Sequence, residues 1–402
     1  MEKININISD YDYLLPEENI AKYPLDERDN SKLLFYNFEN IKETKFKTIP
    51  ELIPSNSRLI FNNTKVIPAR IIVKKNTGAL IEIFCLNPIY PSDINLNFSS
   101  KSDCVWNCFI GNAKKWKQDI LSRKIKVNNI DFILSIEKIK KTNQYYEIKF
   151  SWDNSNISFS EILTEIGKIP LPPYIKRETE ELDKTRYQTV YAKTEGSVAS
   201  PTAGLHFTND IINSLKSKNV KINNITLHVG AGTFTPVKEN DVNKHIMHNE
   251  LCIIQKETII DLLSNNCFNI AVGTTTVRTL ESLYWLGVKF INKESNLNIE
   301  QWYPYENDKK ISLNESLTEI LKYLNKNSLS SISFTTELII MPKYEFKVIN
   351  SIITNFHQPK STLLLLVSAF VGEKWKEIYE YALKNNFRFL SYGDSCLFLK
   401  TF

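Results

Sequence analysis

Residues 209–228, NDIINSLKSKNVKINNITLH, and 256–282, KETIIDLLSNNCFNIAVGTTTVRTLES, set two helix-then-strand units one after the other. The first reads as a helix at about 209–218 and a strand at 220–228. The second reads as a helix at about 256–265 and a strand at 268–272, with another helix opening near Thr276. Strands that alternate with helices lie side by side in a mainly parallel sheet, so the fold class is α/β. His228 and Thr274 then follow the carboxyl ends of strands, which is where such sheets bind ligands.

The stretch between and before these units carries the candidate chemistry. Residues 197–250 hold His206, His228, His245 and His248, four of the five histidines in the chain, and His357 follows in TNFHQP. Each lies beside a turn or cap residue, and histidine is the common proton carrier near neutral pH. HVGAGTFTP supplies Gly230 and Gly232 but puts Thr235 where a dinucleotide fingerprint needs its third glycine, so nicotinamide or flavin binding is not expected. Thr274, Thr275 and Thr276 sit between a strand and a helix, where free N–H groups and hydroxyls suit a carboxylate or phosphate. Arg278 and Glu281, three apart, share a helix face and read equally as a site pair or a surface pair.

Working outward, the composition changes between Arg70 and Trp152. Short β-rich runs such as ALIEIFCL, CVWNCFIG and YYEIKFSW recur with polar turns, predicting a small antiparallel β-barrel over 70–152. It interrupts a large domain made of 1–69 and 153–402. Asn62 and Asn63 mark a turn, and Arg70 could hold an anionic group. Residues 158–167 read as a helix with Ser160 as N-cap and Gly167 as its stop. KIPLPPYIKR is extended by its prolines, and the charged ETEELDKTRYQTVYAK that follows reads as helical. Past a polar excursion at about 290–330, a core helix opens at Lys360, and FRFLSYGDS closes the chain with a tight turn at Gly393-Asp394.

Composition places the chain among ordinary globular proteins. Of 402 residues, 42% are hydrophobic and 24% charged, with a net charge of +5. Six cysteines without paired spacing fit free thiols in a reducing cytoplasm. No signal core or membrane-length apolar run is present, and a soluble cytoplasmic protein is expected. AKKWK, with Trp116 among lysines, is a mixture that can contact phosphates and stack on bases, though a solvated face is the commoner meaning.

The blocks FNNTKVIPAR, GKIPLPPYI, YQTVYA, SVASPTAGLHFT, TLHVGAGTFTPV, HIMHNE, IAVGTTTVRTLES, TNFHQPKSTLLLLVSAF and FRFLSYGDS occur in order. In them the sequence resembles the S-adenosylmethionine:tRNA ribosyltransferase-isomerases of queuosine biosynthesis. The resemblance implies transfer of the ribosyl portion of S-adenosylmethionine to 7-aminomethyl-7-deazaguanine at the tRNA wobble position. Isomerisation then gives epoxyqueuosine, and adenine and methionine leave. The resembled family needs no metal and consumes S-adenosylmethionine as substrate rather than holding a cofactor; a monomer is expected. One departure stands out: Pro342-Lys343-Tyr344 replaces a usual Pro-Gly-aromatic, which removes a permissive backbone position.

That chemistry asks for a base beside the sulfonium, an acid for adenine and a neutral amine. These demands favour His206 and His228 at the reacting carbons, with Glu250 accepting from or orienting one of them. Gly230 and Gly232 would let the backbone approach the ribose, and Thr274, Thr275 and Arg278 would hold the methionine carboxylate or a phosphate. Asn355, His357, Asp394 and Arg70 are further binding candidates, and His245 reads as structural. Two other readings compete: a metallohydrolase using His245, His248 and Glu250, and an RNA-binding paralogue without turnover.

Overall fold

The computed structural model describes residues 6–75, 77–117, 120–142, 145–230, 239–264, 267–307 and 309–400. Four strands buried at every position, Ser57–Asn62, Phe268–Val272, Ser351–Asn355 and Ser395–Leu399, can only be covered from both sides. They form the middle of a ten-stranded sheet in which Lys221–Leu227, Ser57–Asn62, Phe268–Val272 and Ser351–Asn355 are adjacent and mutually parallel. Both ends of the chain meet here, since Lys32–Tyr36 runs parallel to Ser395–Leu399. Antiparallel partners occupy the flanks, with Ile41–Lys45 at one edge and Glu250–Gln255 and Ser331–Thr336 toward the other.

Alternate residues of each strand face opposite layers. Ile60, Ala271 and Ile352 join Val277, Leu280 and Leu283 of helix Thr274–Ile291 in one core, while Phe61, Ile270 and Ile353 join Phe207, Ile211 and Leu215 in the other. Helix Thr274–Ile291 is buried from Thr274 through Lys289 because helix Leu313–Lys326 covers its outer side. The two approach closely at Gly287, where a Cβ would lie 2.3 Å from the Ser316 carbonyl oxygen. The helix begins at Thr274, two residues earlier than expected.

The predicted β-rich insertion is a seven-stranded antiparallel sheet. Its order is Gly167–Lys168, Arg70–Lys74, Leu80–Tyr90, Asp103–Gly111, Tyr146–Trp152, Ile130–Lys141 and Leu121–Val127. No ladder joins its two end strands among the described residues. The sheet curls nonetheless, for Arg123 of the last strand donates from Nη1 to the Ile72 carbonyl at 3.0 Å. Helix Phe159–Ile166 shares this core through Phe159, Ile162 and Leu163. Its cap is Ser158, which forms a capping box with Glu161, so the expected cap Ser160 falls inside the first turn.

Two other expectations change. The charged stretch after Arg177 has only the turn Asp183–Arg186, because its residues are spent on tertiary anchors. Asp183 accepts from Arg177 Nη1 and Nη2, Glu180 N and Tyr392 Oη. Trp116 is 1% exposed beneath Lys138, so it is core and not a stacking platform. All six cysteines are free, and no described helix is long and apolar enough to cross a membrane.

Candidate active site

A polar pocket opens at the carboxyl ends of the parallel strands. Val229 enters it after strand Lys221–Leu227, Gly273 to Thr275 after strand Phe268–Val272, and Thr354 to Gln358 at the end of strand Ser351–Asn355. The loop Ala199–Ala203, Tyr174 and Ser391 close its sides. Tyr174 Oη and Ser391 Oγ lie 2.6 Å apart and brace that wall.

Two helix N-termini converge on this space: Gly273 to Thr275 open helix Thr274–Ile291, and Ser361 to Leu363 open helix Thr362–Val371. Each contributes unspent N–H groups and the positive end of a helix dipole. No Lys, Arg, Asp or Glu lies among the described lining residues. The lining also holds two hydroxyls, Ser200 Oγ and Thr275 Oγ1, buried without a hydrogen-bond partner. Thr276, by contrast, spends its hydroxyl on the Val272 carbonyl at 2.7 Å. A buried unpaired hydroxyl is costly, and here two of them face a space sized for a ligand group.

Four of the sequence-predicted residues meet in this pocket: Thr274, Thr275, Asn355 and His357. Thr354 Oγ1 lies 2.8 Å from His357 Nε2, and burial drives the His357 pKa down to about 3, so the ring is neutral at neutral pH. Asn355 Nδ2 donates to the Leu390 and Ser391 carbonyls at 2.9 and 3.3 Å, which turns Oδ1 toward His206 Nε2 at 3.0 Å. With an oxygen opposite, His206 must carry its proton on Nε2, and Nδ1 accepts from Ser31 Oγ at 2.7 Å. Burial is the largest influence on His206, whose pKa falls to about 4. His206 therefore stands behind the pocket wall, positioning Asn355.

The remaining predicted residues lie elsewhere. His228 faces Thr64 Oγ1 at 3.3 Å with Nδ1, its Nε2 is buried without a partner, and burial lowers its pKa to about 4. Its ring rests on Gly196, whose φ is +135° and where a Cβ would come within 2.8 Å of Cε1. Glu250 accepts from Arg278 Nη1 at 2.5 Å and from the Gly230 N–H at 3.2 Å. Since His206 and His228 Nδ1 turn to other partners and His228 Nε2 has none, Glu250 orients neither ring. Arg278 also donates to the Leu338 carbonyl at 3.1 Å, so it does not line the pocket, and its expected partner Glu281 instead accepts from Tyr344 Oη and the 347–349 backbone. Both are buried, which removes the surface-pair reading.

Arg70 pairs with Glu82 at 2.5 Å in the small sheet. Asp394 accepts the Lys32 and Arg388 N–H groups at 2.9 and 2.7 Å, a brace between the chain ends. Gly232 lies outside the described residues. The proposed His245, His248 and Glu250 metal set is not assembled, because Glu250 is turned to Arg278, and no group of three potential ligands gathers among the described residues. Ser200, Ser361 and Thr362 were missed from sequence; the cap signal of Ser361 was legible, but not what it faces.

The family model described as queuosine biosynthesis protein matches residues 8–398. The chain is 39% identical over 400 residues to the S-adenosylmethionine:tRNA ribosyltransferase-isomerase of Sulfurihydrogenibium sp. (strain YO3AOP1), covering 98% of this chain and 99% of the relative. It is 39% identical over 402 residues to the protein of the same name from Rickettsia bellii (strain RML369-C), with the same coverage, 98% and 99%. A solved structure of an S-adenosylmethionine tRNA ribosyltransferase from Thermotoga maritima is 26% identical, with TM-score 0.46, covering 97% of this chain and 100% of that one.

Proposed function

The chain belongs to the queuosine biosynthesis protein family, and from that premise we propose that it is an S-adenosylmethionine:tRNA ribosyltransferase-isomerase. It joins the ribosyl moiety of S-adenosylmethionine to the amine of 7-aminomethyl-7-deazaguanine at the tRNA wobble position and isomerises it to the epoxycyclopentane, releasing adenine and methionine. S-adenosylmethionine is a consumed substrate, and the protein works as a cytoplasmic monomer.

The observation that supports this most is the uncharged pocket with two converging helix N-termini. Such a pocket can bind a carboxylate through neutral donors, leaving the fixed positive charge of the sulfonium unpaired and its neighbouring C–H acidic. Thr275 and Ser200 hold the methionine carboxylate, with Thr274 beside them. His357 and Asn355 give polar contacts to the ribose or base. The proton-carrier role falls to His228, which lies outside the pocket lining, directly before Val229 of the pocket in the chain, with Nε2 buried and unpartnered; the Glu250–Arg278 pair holds the Gly230 backbone beside it.

The test is adenine release from S-adenosylmethionine by the purified protein, with and without tRNA bearing the 7-aminomethyl-7-deazaguanine base. Release that requires the modified tRNA is expected. Binding of tRNA with no adenine released would remove the assignment and leave an RNA-binding protein.

A further inference from the structure

A second cleft lies against the back of the pocket. Ser391 lines both spaces, and Asn355 of the pocket bonds His206 of the cleft. Arg28, Arg186 and Arg388 all enter this cleft, and no Asp or Glu is among its described lining residues. Their hydrogen bonds go to carbonyls: Arg28 Nη1 to Gln188 at 3.1 Å, Arg186 Nη1 to Asp26 at 3.0 Å and Nη2 to Leu25, and Arg388 Nη2 to Tyr23. Arg186 Nε and Arg388 Nη1 are buried with no partner. Among the described residues the arginines that pair with carboxylates are Arg70, Arg177 and Arg278, none of them here.

Two carboxylates act on the cluster from outside it. Asp29 favours the charge of Arg28, and Asp394 that of Arg388, yet both oxygens of Asp394 are already taken by backbone N–H groups. Burial, then Arg186, pulls Arg28 below the ordinary arginine range. Three guanidinium groups held together, partly desolvated, with donors unspent, form a set that an oxyanion completes. Planar, forked guanidinium donors match phosphate oxygens two at a time.

We propose that this cleft binds a backbone phosphate of the RNA substrate, beside the nucleotide whose base enters the neighbouring pocket. The proposal rests on the reading of tRNA as substrate. Ser391 lines both spaces, and elsewhere the hydrogen-bonded pair Asn355 and His206 stands between them, so a base and a nearby phosphate of one strand can be held together. Free phosphate has the same chemistry, and the experiment distinguishes the two.

The dissociation constant for tRNA is measured against salt for the unaltered protein and for Arg28→Gln, Arg388→Gln and Arg28→Lys. Each Gln variant is expected to weaken binding about tenfold at low salt and to flatten the log–log salt dependence by roughly 0.7–0.9. Arg28→Lys keeps the slope and serves as the folding control. Unchanged slopes in both Gln variants overturn the proposal. So does protection of the unaltered protein against heat by inorganic phosphate that the Gln variants lose while their tRNA slopes stay the same, since the cleft would then hold a small anion. Adenine release is run alongside: release with unchanged slopes leaves the enzyme standing and the cleft refuted, whereas flattened slopes without release do the reverse.

Discussion

Arg278 Nη1 lies 2.5 Å from Glu250 Oε2 with both side chains less than a tenth exposed, and the second oxygen of Glu250 takes the Gly230 N–H. One ion pair thus ties helix Thr274–Ile291, whose first turn lines the pocket, to the strand end that carries His228. The interior around it gives neither charge access to bulk water.

Removing one partner of a buried pair leaves the other uncompensated. Arg278→Met is expected to cost about 3–5 kcal/mol, read from the urea midpoint at constant m. Replacing both, as Arg278→Met with Glu250→Gln, should recover part of that loss. A single variant within 0.5 kcal/mol of the parent, roughly the scatter of neutral surface changes, would mean the pair is not structural.

Thr275→Val keeps the shape of the side chain and removes a hydroxyl that has no protein partner. Stability should hold or rise slightly, while the KM for S-adenosylmethionine rises about tenfold to a hundredfold, the worth of a hydrogen bond to a charged group. Steady-state kinetics beside a thermal melt separates these. An unchanged KM would take Thr275 out of the carboxylate site.

Acid should destabilise the fold through its histidines. His206 and His228 have pKa values near 4 and His357 near 3, against 6.5 for an exposed ring, chiefly from burial, with the Arg388 and Arg28 charges also lowering His206. The unfolded chain therefore binds more protons than the native one below pH 6.5, and stability falls as pH drops through that window toward 4. Each histidine contributes up to roughly 1.4 kcal/mol per pH unit there. Asp394 and Glu281, raised by burial, act in the opposite sense. Urea midpoints at pH 7, 5.5 and 4.5 should decline, with a shallower decline in His357→Gln; a flat profile contradicts the burial of neutral rings.

Lys343 holds φ +79°, a left-handed backbone that glycine adopts without strain but a residue with a side chain does not. Lys343→Gly should add about 1 kcal/mol with turnover unchanged. A lower denaturation midpoint for that variant would show the lysine side chain contributes more than its backbone costs.

Much of the architecture was readable in order along the chain. The helix-then-strand units at 209–228 and 256–272 formed as expected in a mainly parallel stretch of sheet, with Ser57–Asn62 between their strands, and the change of composition at Arg70 marks where the antiparallel sheet begins. What failed was local detail. Ser158 rather than Ser160 caps its helix, and the stretch after Arg177 gives its charges to distant partners.

The site divides in the same way. Sequence by itself determined the family, the alternation that makes a central parallel sheet, and the residue types at the strand ends, because these are properties of neighbours along the chain. Only the tertiary structure decided which of those residues face one another. His206 lies behind Asn355, Glu250 turns to Arg278, and three arginines from positions 28, 186 and 388 meet in one cleft. His206 and Asn355 are 149 residues apart and the cleft arginines bond carbonyls 160 or more residues away, while even Glu250 and Arg278, 28 apart, sit on different elements, and no local pattern carries that information.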